Sequence, residues 1–147
     1  MMKLTFNFAW KMKLQTMHGE FDIEVYGSII KVVLRGAFND IGAKALAVEL
    51  KNNVKAYQQA PFTIMMNLLA FDGGTPEVFA ESESFNAWLN NTNMVAKALI
   101  FTSPALIAIE RTLVKSKAPQ NIRYFDNEDD AQIWLHEYID EFHSKLA

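Results

Sequence analysis

The sequence predicts an α/β fold, with a mixed sheet of about five to six strands flanked by four helices. Three observations predict it. The amino-terminal part alternates apolar and polar residues with a period of two, as strands do. The remainder alternates β-branched runs with segments whose apolar residues recur every three or four positions. Half of the 147 residues are apolar and only 21% are charged, so a single domain can bury a core.

The first predicted elements form the antiparallel part of the sheet. In residues 4–14, apolar and polar residues alternate, as in a strand with one solvent-exposed face. After Gly19, a second alternating strand leads to the hairpin turn Gly27-Ser28, and residues 29–34 form a strand buried on both faces. We therefore divide the chain into an extra strand at residues 1–17 and one domain at residues 18–147.

The next segment begins the βαβ units. Asn39 or Asp40 caps a predicted helix that runs to about Gln59, where Pro61 closes the segment. Residues 62–69 form the third core strand. Because a crossover joins these strands, the later part of the sheet is predicted to be parallel.

Two predicted helices begin in the same way, with a hydroxyl residue followed by proline at the first helical position. Thr75 and Pro76 follow the turn at Asp72-Gly73-Gly74. Ser103 and Pro104 follow the strand at residues 95–101. The second of these helices is expected to reach about Lys117, with three apolar residues facing inward: Leu106, Ile109 and Leu113.

The last unit is a short strand at residues 121–125 and a carboxy-terminal helix that Asp126 is expected to cap. A broad apolar face recurs along that helix, from Ala131 through Trp134, Leu135 and beyond. No internal repeat and no linker interrupts the order of elements.

Composition excludes several classes of function. The chain has no cysteine, which removes disulfides, thiolate nucleophiles and cysteine-based metal centres. The net charge of -3 disfavours a nucleic-acid-binding protein. No apolar run reaches the roughly 20 residues of a membrane-spanning helix, and no secretion signal is apparent, so a cytoplasmic protein is expected.

No catalytic or metal-binding motif stands out. The sequence contains no nucleophile elbow, no phosphate-binding glycine loop and no zinc-protease motif. His136, Asp140 and His143 share a face of the last predicted helix, where a solvated polar face is the simpler interpretation than a metal site. We expect no catalytic residue, no metal and no cofactor.

Two hydroxyl-rich helix starts follow neighbouring strands. In open α/β sheets, ligands bind outside the carboxyl ends of the strands, near helix amino termini. The candidate anion-binding or ligand-binding residues are Asp72, Gly73, Gly74, Thr75, Thr102 and Ser103. The alternative is that they are ordinary caps beside tight turns.

A second candidate surface is apolar. The strand at residues 4–14 carries too many large apolar residues for an ordinary exposed edge. Its side chains could pack within the monomer, form a homodimer seam or line an apolar pocket together with Met65. The residues concerned are Phe6, Phe8, Trp10 and Met65.

The pattern from His18 to Leu135 resembles the SpoIIAA-like domains of the STAS superfamily. The resemblance rests on four segments and one pair of residues. These are His18-Gly19-Glu20-Phe21, Gly36-Ala37-Phe38, Phe71-Asp72-Gly73-Gly74, Ile122-Arg123-Tyr124-Phe125-Asp126, and Trp134-Leu135 after Ala131. These motifs concern packing and turns, so they indicate the fold more than the function.

The resemblance implies a regulatory or binding module and not an enzyme. Anti-sigma factor antagonists of that superfamily accept a phosphate on a serine directly after an aspartate. Here Gly73 follows Asp72, so that position carries no hydroxyl. Relatives of this branch are also similar to CRAL-TRIO lipid carriers. The resemblance thus implies a protein partner or a small ligand, with a carrier of an apolar ligand or lipid as the alternative. A small hydrolase or transferase is a third and less favoured interpretation, because the sequence shows no catalytic triad and no metal-binding set.

Overall fold

The computed structural model describes residues 17–146, so the predicted strand at residues 4–14 lies outside the described residues. Five strands and four helices follow one another in the described part. The strands are β1 (Glu20–Tyr26), β2 (Ile29–Phe38), β3 (Phe62–Gly74), β4 (Met94–Ile100) and β5 (Ile122–Phe125). The helices are α1 (Asp40–Lys55), α2 (Pro76–Leu89), α3 (Pro104–Leu113) and α4 (Glu128–Leu146), and a 3-10 turn (Lys115–Lys117) follows α3.

The five strands form one mixed sheet in the order β1-β2-β3-β4-β5. β1 pairs with β2 antiparallel, and Tyr26 lies opposite Ile29 across the hairpin turn. The pairs β2–β3, β3–β4 and β4–β5 are parallel. The mixed sheet predicted from the hairpin and the crossovers is confirmed.

The sheet separates two apolar layers. The larger layer packs α1 and α2 against β2, β3 and β4 through buried side chains such as Leu50, Phe85 and Leu99. The smaller layer lies beneath α4, where Ala131 and Leu135 are fully buried. The small residues Ala96 and Ala98 of β4 allow α4 to approach the sheet closely.

Several boundaries differ from the prediction. α1 ends at Lys55 instead of near Gln59, and β2 continues to Phe38. β3 runs on to Gly74, since this glycine, predicted as part of a turn, pairs with Phe38 of β2. α3 ends at Leu113 instead of near Lys117. Asp126 does not cap α4; the backbone N–H of Asp130 donates to Oδ1 of Asn127 over 2.8 Å, so Asn127 is the cap.

The predicted inward face of α3 is also wrong in part. Leu106 is partly buried against the large layer. Ile109 and Leu113 are 43% and 48% exposed, and no residue of α3 is fully buried. Helical spacing identifies residues that share a stripe, but it does not show which side of a short helix meets the sheet.

Candidate functional site

The carboxyl ends of the parallel strands form a stepped edge. The pairing of β3 with β4 ends at Asn67 and Ile100, whereas the pairing of β3 with β2 continues to Gly74 and Phe38. Residues 68–74 therefore extend past the end of β4. We call these residues together with Thr75 the rim.

Gly74 connects the rim to α2 through a close approach. A Cβ at this position would lie 2.7 Å from the carbonyl oxygen of Phe38 and 2.8 Å from Cγ2 of Val78. The backbone N–H of Thr75 donates to the same Phe38 carbonyl over 3.3 Å. Only glycine leaves enough space for this junction.

The polar side chains of the rim are exposed and acidic in character. Asp72 and Thr75 are exposed, and so is Glu77 in the first turn of α2. Thr75 occupies the N-cap position, but its side chain accepts no hydrogen bond from the helix. The backbone N–H of Glu77, followed by the Thr75 hydroxyl, lowers the pKa of the Glu77 carboxyl. Two carboxylates at this helix start disfavour the binding of an anion here.

The second predicted helix start lies beside the rim. A Cβ on Gly73 would contact Cδ2 of Leu106 at 3.7 Å, so the end of β3 and the first turn of α3 are neighbours. Ser103 caps α3, because its side chain accepts a hydrogen bond from the backbone N–H of Leu106 over 3.3 Å. Thr102 is exposed. The structure thus places the candidate residues of both helix starts along one edge.

An exposed apolar stripe runs along α3 from this edge. Ala105, Ile109 and Leu113 are four residues apart and are all exposed. Residues at this spacing lie on one face of a helix. We call them the α3 stripe; the sequence identified two of its members but assigned them to the core.

Met65 lies in the layer beneath α4, where it is 2% exposed. Its neighbour Met66 lines two apolar cavities on the other side of the sheet, and each of these measures about 50 Å³. Such volumes are well below the roughly 300–1,000 Å³ of sites for drug-sized ligands. The other three candidates for an apolar pocket or dimer seam, Phe6, Phe8 and Trp10, lie outside the described residues.

Two solved structures are similar to this chain. The first is an uncharacterised protein of the DUF3478 family from Shewanella loihica, described as having a SpoIIAA-like fold. It has a TM-score of 0.62 and 12% sequence identity, over 90% of this chain and 99% of that one. The chain has a SpoIIAA-like fold. The second is an anti-sigma factor antagonist from Mycobacterium paratuberculosis, with a TM-score of 0.57 and 13% identity over 81% of this chain and 95% of that one.

The SpoIIAA-like fold expected from the sequence motifs is therefore confirmed. No protein-family model matches the sequence. No curated protein matches it significantly either. At 12% and 13% identity, the likeness extends to architecture and not to individual side chains.

Within this SpoIIAA-like fold, sequence reasoning missed a buried polar cluster. Lys97 of β4 is 1% exposed, and its Nζ donates to Oδ1 of Asn86 over 2.6 Å. Gln120 donates to the same oxygen over 3.2 Å and to Oδ1 of Asn90 over 2.9 Å. Burial lowers the pKa of Lys97 to about 7. A lysine inside an otherwise apolar strand was the available signal.

Neither a metal centre nor a membrane-spanning helix is found in the described part of this SpoIIAA-like domain. Across residues 17–146, no three His, Asp or Glu side chains come together in a way that could hold a metal ion. No helix in the same range is both long and apolar enough to cross a membrane.

Proposed function

We propose that this SpoIIAA-like domain is a non-catalytic regulatory module that binds a partner protein through the rim and the α3 stripe. The observation that carries the proposal is the exposure of the α3 stripe. A ten-residue helix without a fully buried residue contributes little to the core, yet it presents Ile109 and Leu113 to solvent. Neighbouring exposed apolar residues of this kind are typical of interaction surfaces.

The rim extends the same surface. Leu69 is 49% exposed at the projecting end of β3. Leu106 in the first turn of α3 lies close to Gly73 at the end of β3. This contact brings the rim beside the α3 stripe. An apolar centre with a polar border is the usual organisation of a protein interface.

The charges of the rim indicate the chemistry of the partner. Asp72 and Glu77 are exposed, and the lowered pKa of Glu77 keeps its carboxyl ionised at neutral pH. We expect a partner that places apolar side chains on the α3 stripe and basic side chains opposite these carboxylates. The likeness to an anti-sigma factor antagonist supports a regulatory role, because that protein acts on another protein.

The test compares two isoleucines on opposite faces of the sheet. Ile109 lies on the α3 stripe, and Ile133, 55% exposed, lies on α4. A tagged chain is used to recover partners from the cells that produce it, in the forms wild type, Ile109→Arg and Ile133→Arg. We expect one protein to be recovered with wild type and Ile133→Arg but not with Ile109→Arg. Reconstitution with that purified protein should then show binding at least tenfold weaker for Ile109→Arg.

Other results would contradict the proposal. A partner lost with Ile133→Arg and retained with Ile109→Arg would place the interface on α4. Turnover of a substrate by the purified chain would show that it is an enzyme. A lipid that copurifies with the chain in native mass spectrometry would favour the carrier alternative. A cytoplasmic location and a homodimer remain predictions, and size-exclusion chromatography with light scattering tests the dimer.

A further inference from the structure

A polar cavity of about 330 Å³ lies at the β5 side of the sheet, and none of its lining residues belongs to the rim or to the α3 stripe. α3, the 3-10 turn and the following loop form its outer wall, and β5 forms its floor. Its charged and aromatic lining residues are Glu110, Arg111, Lys115, Lys117 and Tyr124. Its volume falls at the lower end of the range for sites that bind small molecules.

The cavity carries an excess of positive charge on a chain whose net charge is -3. Arg111, Lys115 and Lys117 line it, and among residues 17–146 Glu110 is the only acidic residue that does so. Lys117 and Glu110 form an ion pair. Arg111 lies over the ring of Tyr124 at 5.2 Å and has no carboxylate partner within residues 17–146.

Two lysines lie close together at the inner side of the cavity. Lys97 is buried and Lys117 is half-buried; desolvation, followed by the positive charge of Lys97, lowers the pKa of Lys117. The ionised carboxylate of the neighbouring α2 residue Glu83 accepts hydrogen bonds from the backbone N–H and the hydroxyl of Ser116 and attracts Lys115. An anion in the cavity would pair with Arg111 and would favour the protonated forms of Lys97 and Lys117.

We propose that this cavity binds a small organic anion, a carboxylate or a phosphate monoester with a compact apolar part. Arg111 presents a planar guanidinium that can hold either anion with two hydrogen bonds. The Tyr124 ring, Ile122 and Val114 supply the apolar surface for the remainder of the molecule. The site is separate from the rim and the α3 stripe, so it does not depend on the proposed interaction with a partner protein.

The test uses four probes and NMR titration of the whole chain. Phenyl phosphate and phenylacetate carry the two anions on an aromatic ring, benzyl alcohol is the uncharged match, and inorganic phosphate lacks the apolar part. We expect phenyl phosphate and phenylacetate to shift the amide signals of Lys117, Gln120 and Tyr124. Benzyl alcohol and inorganic phosphate should bind at least tenfold more weakly than these two anions. Tighter binding of one aromatic anion identifies the preferred acid group.

Three variants assign the site. Arg111→Gln should weaken the binding of phenyl phosphate at least tenfold. Arg123→Gln is the matched control, because Arg123 also lies over aromatic rings, at 5.3 Å from Phe125 and 5.9 Å from Trp134. The Arg123→Gln variant should bind phenyl phosphate as tightly as wild type does. Ala118→Trp, at an exposed lining position, should block the cavity without removing a charge.

Clear results would overturn the proposal. One is that neither phenyl phosphate nor phenylacetate shifts the amide signals at 10 mM. Another is that benzyl alcohol or inorganic phosphate binds as tightly as the aromatic anions. Equal loss of affinity in Arg111→Gln and Arg123→Gln would show a general charge effect. None of these results affects the test of the partner interface, which rests on Ile109 and Ile133.

Discussion

At the scale of single residues, the burial of Lys97 makes the stability of the protein depend on pH. An unfolded lysine has a pKa near 10.5, whereas burial lowers the pKa of Lys97 to about 7 in the folded chain. Between these values the unfolded chain holds a proton that the folded chain has released. The free energy of unfolding therefore rises with pH in this interval. Below pH 7 both states are protonated, and the full cost of burying the ammonium is present.

Lys97→Met should stabilise the protein at pH 6.5, by on the order of 1 kcal/mol or more, because it removes a buried charge and keeps the length of the side chain. Urea unfolding at several pH values measures this. Between pH 7 and 9, wild type should gain about 1 kcal/mol per pH unit more than the variant. Lys55→Met, an exposed lysine at the end of α1, is the control and should leave the slope unchanged. Equal slopes in Lys97→Met and wild type would contradict the expectation.

Gly74 is the second residue with a specific role. Gly74→Ala should lower the free energy of unfolding by about 1–3 kcal/mol, because its Cβ would overlap the Phe38 carbonyl and Val78. Chemical denaturation measures the loss. Ala70→Ser, at an exposed position of the same strand, should change stability by less than about 0.5 kcal/mol. A Gly74→Ala variant as stable as wild type would show that the junction adjusts freely.

At the scale of elements, the two proline-initiated helices are predicted to differ in their caps. Ser103 accepts a hydrogen bond from α3, whereas the Thr75 side chain makes no such bond to α2. Ser103→Ala should cost about 0.5–2 kcal/mol, and Thr75→Ala less than half of that. Thermal and urea unfolding of both variants provide the comparison. Equal costs would indicate that Thr75 stabilises α2 through its hydroxyl contact with Glu77.

At the scale of the whole molecule, stability is concentrated in the middle of the sheet. Residues 96–100 of β4 are buried beneath both layers, whereas α3 has no fully buried residue and β1 is the first strand of the sheet that the described residues form. We expect the amides of β4 to exchange with solvent most slowly, and those of α3 at least 100-fold faster. Hydrogen exchange followed by NMR tests this. Equal protection of α3 and β4 would contradict the assignment of α3 as a peripheral helix.

Most of the architecture could be predicted because apolar residues recur at a different spacing in strands than in helices. The hairpin, the parallel strands and the proline-initiated helices all follow from such local patterns. The orientation of α3 could not be predicted, since the same spacing describes a stripe that faces the sheet or the solvent. The extension of β3 depends on pairing with β2, and the glycines at its end suggested a turn.

The candidate sites were predicted less completely. The two helix starts at Thr75 and Ser103 were identified because parallel strands bring their carboxyl ends together. Lys97 was missed although a lysine inside an apolar strand is a local signal, and its partner Asn86 on the preceding helix meets it only in the folded chain. The cavity beside Arg111 and Tyr124 is lined by residues 110–124, and it forms only because α3 and β5 fold back beside each other. The spacing of residues along the chain does not reveal such an arrangement.

Two arginines that stack on β5 have a consequence for self-association. This strand lies at one end of the sheet formed by residues 17–146 and is only four residues long. Arg111 of α3 is stacked on its Tyr124, and its own Arg123 is stacked on Phe125. A strand added here by another copy would gain few backbone hydrogen bonds and would bring like charges together. Short, charged edges of this kind protect proteins from aggregation. Even at high concentration, therefore, molecules should resist joining into continuous sheets along this border.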